Sequence, residues 1–137
     1  MAKIDDHWQQ RKRVWSQYND QLRELPLLLP PDAEPESRHA HHLYTPLLAL
    51  EELRVGRAEI IAALAAENIG VGIHYVPVHQ HPYYRQQFGF VDSDFPNATF
   101  VGERTFSLPL SPAMSEQDVS DVVTALTRIC RYYAASA

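Results

Sequence analysis

Near the start of the chain, apolar residues recur at spacings close to three and four: Ile4, Trp8, Trp15, Tyr18, Leu22 and Leu25. Arg11 is the single polar break in this stripe. The period predicts a helix over residues 3–24 with one apolar face. Two tryptophans on one face need a broad covering surface, in the simplest case the rest of the same domain. No capping box introduces this helix, so it reads as the continuation of something longer.

The pattern then changes. Residues 26–38, PLLLPPDAEPESR, hold four prolines and predict an extended connector rather than a flexible hinge. The stretch 39–50, HAHHLYTPLLAL, reads as a strand, with Pro46 at an edge or bulge because proline cannot donate to a ladder. A helix over 57–67 presents Ile60, Ile61 and Leu64, and Asn68-Ile69-Gly70 ends it, asparagine tolerating a left-handed cap. GVGIHYV at 70–76 reads as a second strand, HPYYRQQF at 81–88 as a short helical turn, and DFPNATFVGERT at 94–105 as a helix. FSLPL at 106–110 is a third strand. Ser115 with Asp118 starts a last helix that places Val119, Val122, Val123, Leu126, Ile129, Cys130 and Tyr133 on one face. The order predicts an α/β fold: a small antiparallel or mixed sheet of about three strands covered by helices.

Composition narrows the class. The 137 residues suffice for one domain with a real core. With 45% hydrophobic and 21% charged residues the chain reads as a globular protein, neither disordered nor membrane-like. Its longest apolar run, LPLLLPP, is too short to span a bilayer, and the charged start lacks a signal-peptide pattern. A net charge of −5 gives no basic field for nucleic acid, and RKR at 11–13 faces Asp5, Asp6, Asp20 and Glu24. The lone Cys130 fits a reducing compartment, and its place on the apolar stripe marks it as packing rather than a catalytic thiol. A cytoplasmic protein, with neither nucleic acid nor membrane as partner, is expected.

Candidate chemistry concentrates in residues 71–88, VGIHYVPVHQHPYYRQQF, with three histidines, three tyrosines and two prolines. Buried imidazoles and phenols must find partners, so this is no ordinary core strand. His39, His41 and His42 form a second group. On a strand, 39 and 41 would share a side, as two ligands of one metal do, but no cysteine or carboxylate at ligand spacing joins either group. No metal site is therefore expected. Ser107, Ser111 and Ser115 lack a glycine-flanked elbow, and no phosphate-cradling glycine motif occurs.

Four segments taken together closely resemble the C-terminal small domain of the DegT-type nucleotide-sugar aminotransferases. They are HHLY at 41–44, NIGVGIHYVPVHQHPYYRQQFGF at 68–90, DFPNA at 94–98 and RTFSLPLSPAMSEQDVSDVV at 104–123. These are pyridoxal-phosphate enzymes of the aspartate aminotransferase fold. The resemblance covers nearly the whole chain. It implies that residues 1–25 are the helix linking a large domain to the small one, and that 26–137 are the small domain. It implies a partner, either the large cofactor-binding domain or a second subunit, and a nucleotide-sugar substrate with glutamate as amino donor. His74, Tyr75 and His79 are the implied substrate-binding residues, on a wall of the pocket between domains. No catalytic residue is expected in this chain. Its two lysines, Lys3 and Lys12, lie on the first helix among charged residues, so pyridoxal phosphate would belong to the intact enzyme and not to this chain alone. Two departures stand out: Asn68 where the family usually has glycine, and Thr99 in place of a common glutamate. The alternatives are a free-standing sugar-nucleotide-binding or regulatory module without catalysis and, from the residues alone, a histidine-based metal-binding protein.

Overall fold

The computed structural model describes residues 3–135. Helix α1 spans Ile4–Gln21 and α5 spans Glu116–Tyr132; they pack together with α2, Arg57–Ala66, around the main apolar core. On α1 the buried face is Val14, Trp15, Tyr18 and, just past the helix end, Leu22. Ile4 is exposed and Trp8 only half-buried, so the covered stripe begins later than the sequence period suggests. Both tryptophans are served from within the chain: the Trp8 indole N–H donates to the His39 carbonyl at 2.7 Å, and Trp15 packs on His39, His41 and Tyr44.

Helix α5 begins as its sequence requires. The Ser115 hydroxyl accepts from the Asp118 N–H, and the Asp118 carboxylate accepts from the Ser115 N–H at 2.7 Å. These bonds hold the Asp118 carboxyl below its ordinary range. Helix α2 ends with Asn68 in the left-handed region, φ 61°, as a residue taking the place of a glycine cap must be.

The sheet is smaller than the expected strands. β1, Leu27–Leu28, pairs antiparallel with β2, Leu47–Leu48, so part of the predicted connector is a strand. Single bridges extend this pair: Tyr44 with Leu108, Leu47 with Thr105, and Gly72 with Ser107. Residues 39–43 form no regular strand, and 70–76 pair only at Gly72. The physical reason is the prolines at 26, 30, 31, 46 and 109, which remove ladder donors on either side of each short pairing. Thus 105–108 is the central segment, hydrogen-bonded on both sides, with Phe106 and Leu108 in the core.

Between the last two pairings the chain makes an excursion over residues 73–104. It carries α3, Pro82–Phe88, and α4, Pro96–Arg104, each with proline in its first turn. Gly89 closes α3 at φ 69°. No residue of 73–104 belongs to the main apolar core.

Candidate functional site

The excursion begins where Gly72 and Ser107 exchange backbone bonds: Ser107 N–H to the Gly72 carbonyl at 2.8 Å, and Gly72 N–H to the Ser107 carbonyl at 3.3 Å. Two residues on, the His74 imidazole folds back so that Nε2 lies 2.9 Å from the Ser107 hydroxyl oxygen. The ring can fold there because position 72 has no side chain: a Cβ would sit 2.8 Å from His74 Nε2 and 3.0 Å from Ser107 Oγ and would push the imidazole away. Tyr75 turns the other way. Its side chain is 76% exposed, with its ring edge-on to His74 at 5.1 Å. One of the two candidates is therefore held against the sheet and half-buried, while the other projects into solvent.

His79 is placed differently. It is 4% exposed, on the short helical turn Val78–Gln80. Its Nε2 lies 3.0 Å from Thr99 Oγ1 and 3.5 Å from Asp92 Oδ1, and its ring stacks on Phe95. Thr99 donates to the Asp92 carbonyl at 3.0 Å, which leaves its oxygen free to accept the His79 Nε2 proton. Asp92 also takes Arg85 at 2.9 Å and Gln80 at 3.2 Å. His79 thus ties the α3 end of the excursion to α4 through Thr99.

A second tie fixes Pro77. A Cβ on Gly102 of α4 would come within 2.1 Å of Pro77 Cγ, so the proline ring rests on bare helix backbone. Arg57 of α2 donates to the carbonyls of Gly102 and Thr105, satisfying groups at the end of α4. The segment 74–79 is therefore braced at three points, Ser107, Gly102 and Thr99. Around it the surface is apolar and uncovered: Ile73, Val76, Val78, Tyr83, Phe88 and Val101 are all exposed.

The second histidine group does other work. His39 Nδ1 lies 3.1 Å from His41 Nδ1 and also accepts the His41 backbone N–H. The two imidazoles converge as the metal reading requires, yet they bond to each other. Among the described residues no group of three His, Cys, Asp or Glu is placed to hold a metal ion. A cleft of about 630 Å³ is lined by residues 67–69 just past α2, by α5 and by the turn after Ser107, and none of 73–104 lines it. Its charged side chains are engaged locally, Asp118 with Ser115, Asp121 with Gln117 and Glu67 with Arg128.

Gly72, Ser107, Thr99 and Gly102 escaped the sequence reading as site residues. The one available signal was Ser107 alternating with Phe106 and Leu108, a hydroxyl on the face opposite two core residues.

Three comparisons with known proteins agree. The model of the DegT/DnrJ/EryC1/StrS aminotransferase family matches residues 1–127. The chain is 42% identical to the spore coat polysaccharide biosynthesis protein SpsC of Bacillus subtilis over 134 residues, covering 96% of this chain and 34% of that protein. It is 40% identical over 119 residues to an uncharacterised protein of Methanocaldococcus jannaschii, covering 87% of this chain and 31% of the relative. A putative sugar aminotransferase of Streptococcus pneumoniae in its PMP form shares the fold at TM-score 0.84 and 21% identity, over 96% of this chain and 32% of that one. DesV of S. venezuelae superposes at TM-score 0.78 with 27% identity, over 93% and 33%. The chain spans about a third of the length of these relatives.

Proposed function

From the premise that this chain belongs to the DegT/DnrJ/EryC1/StrS aminotransferase family, we propose that it is the small-domain portion of a sugar aminotransferase. The intact enzyme would convert a nucleotide-linked keto sugar to an amino sugar, with glutamate as donor. Residues 1–25 would lead in from the large domain, and the exposed face of 73–104 would close against that domain. The observation that carries this reading is the braced segment 74–79, which presents a half-exposed imidazole and an exposed phenol on an otherwise apolar face. Both groups donate and accept hydrogen bonds, which suits hydroxyls and phosphates of a sugar nucleotide. His79 supports the segment from behind.

Pyridoxal phosphate supplies the amino-carrying chemistry in the family, and on this reading the groups that hold it belong to the large domain. A covalent anchor needs a desolvated amine, whereas Lys3 and Lys12 are both exposed and the Lys12 ammonium stands 5.3 Å over the Trp8 ring. The role of this chain is to bind and orient the sugar.

The test uses a full-length protein in which a matching large domain is joined to this chain. His74→Ala and Tyr75→Ala should each lower kcat/KM for the keto sugar by about five- to tenfold, one hydrogen bond of about 1 kcal/mol. The cofactor and the glutamate half-reaction should be retained, and His81→Ala should change little. Loss of cofactor, or equal damage to both half-reactions, overturns the assignment. One observation favours the alternative of a free-standing binding module: α1, α2 and α5 already close a core without any partner. Under that reading the chain alone binds a nucleotide sugar, and adding a separately made large domain changes nothing.

A further inference from the structure

The serine of the central segment has no obvious reason to be polar. Ser107 is 7% exposed between core residues Phe106 and Leu108, and a buried hydroxyl is costly unless it is bonded. Alanine would fit there at no such cost. The short partner of its hydroxyl is His74 Nε2, at 2.9 Å, and its second contact is the Gly72 carbonyl, at 3.5 Å.

The 2.9 Å contact alone admits either direction, and one arrangement of protons uses both contacts. A hydroxyl has one hydrogen and two lone pairs. Donation to the Gly72 carbonyl, whose second lone pair is open beside the Ser107 N–H, leaves Ser107 Oγ as acceptor for the His74 Nε2 proton. Every group in the cluster is then satisfied. In neutral His74 the remaining nitrogen, Nδ1, carries a lone pair, and among the described residues no hydrogen bond engages it. Gly72 completes the device by leaving the space into which the ring folds.

We infer that Ser107 is a positioning residue of this site: it fixes the ring and tautomer of His74, so that Nδ1 is the nitrogen offered at the exposed face, as an acceptor for a substrate hydroxyl. This rests on the proposed role of His74 in binding the sugar. It deepens that role by specifying a neutral hydroxyl donor, not a phosphate oxygen, as the group His74 meets. Ser107 itself touches no substrate.

The test is a ¹⁵N imidazole spectrum of this 137-residue chain at pH 8, which needs no ligand. In the wild type, His74 should show a protonated Nε2 and an unprotonated Nδ1. Ser107→Ala should lower the ratio of the two tautomers by about threefold or more, one lost hydrogen bond, and Ser107→Thr should restore it. The imidazole of His81, which meets only the Val76 carbonyl at 3.3 Å, serves as control and should not respond. A wild-type His74 protonated at Nδ1 overturns the inference, whether or not any variant folds. So does a Ser107→Ala spectrum like the wild type, or a folded Ser107→Thr that fails to restore the ratio. If instead the sugar-binding reading fails, the rebuilt enzyme is insensitive to His74→Ala while this spectrum stands as described, so the two failures are separable.

Discussion

Burial pushes the Cys130 thiol up to about 11, with the side chain sealed among core residues of α5. Against an ordinary thiol near 9, native protein at pH 8 should label with a disulfide reagent on the order of a hundredfold more slowly than unfolded chain; comparable rates would place Cys130 at the surface. Two glycines make a sharper contrast. Gly102→Ala drives a methyl into Pro77, with ring and helix backbone both fixed, and should cost about 1–3 kcal/mol in a urea titration. Gly72→Ala meets mainly the end of the His74 side chain, which can rotate away. Its stability loss should be smaller, and the His74–Ser107 bond should disappear from the imidazole spectrum.

The strap from Arg38 to Tyr44 is an element that propensity does not describe. It lies along α1 through Trp8, through Arg11 donating to the Ala40 carbonyl, and through the Tyr44 hydroxyl donating to Asn19. At its centre His41 has φ 46° and is held neutral by burial, by His39, and by Lys12 and Arg11. Its proton affinity is therefore lower in the folded chain than in the unfolded one, so its contribution is full above pH 6.5 and is lost as pH falls through the depressed value. Tryptophan fluorescence should report loosening of the strap on acidification below that pH. His41→Asn, which tolerates the left-handed backbone, should flatten the acid limb; an unchanged limb would assign it to another group. Helices and caps were legible in the sequence because they are written locally: the Ser115–Asp118 box, the Asn68 cap and the α5 stripe all stand where the residues put them. The strands were legible only as extended chain. Whether Leu47 pairs with Leu28, or Gly72 with Ser107, depends on residues tens of positions away, and the prolines conceal how short each pairing is. The site was half legible. The His74-Tyr75 pair announced itself by composition, whereas Ser107 and Gly102 act through a hydroxyl and an absent methyl that mean nothing until the fold places them.

Across the whole molecule, apolar surface is divided unevenly. The Trp15 face of α1 is covered from within by the strap, as the simplest reading of its apolar stripe expects, so Trp15→Ala should cost about 3–5 kcal/mol of stability. A loss confined to association, with unfolding unchanged, would return that face to a partner. The uncovered surface lies instead on 73–104, where Val78 and Phe88 are more than half exposed. The isolated chain should bind an apolar dye such as ANS there, and Val78→Asp with Phe88→Asp should remove most of the signal without lowering the melting temperature. Joining a large domain should quench it equally. The paired backbone bonds of Gly72 and Ser107 have one more implication, for descent rather than stability. They pin both feet of a 32-residue loop whose interior contributes nothing to the main core, so this stretch can be rewritten while the scaffold stays the same. Transplanting 73–104 from a relative should leave the melting temperature within a few degrees and, under the proposed sugar-binding role, should carry over that relative's sugar preference in the rebuilt full-length protein. Descent can then vary this one cassette while the scaffold is kept.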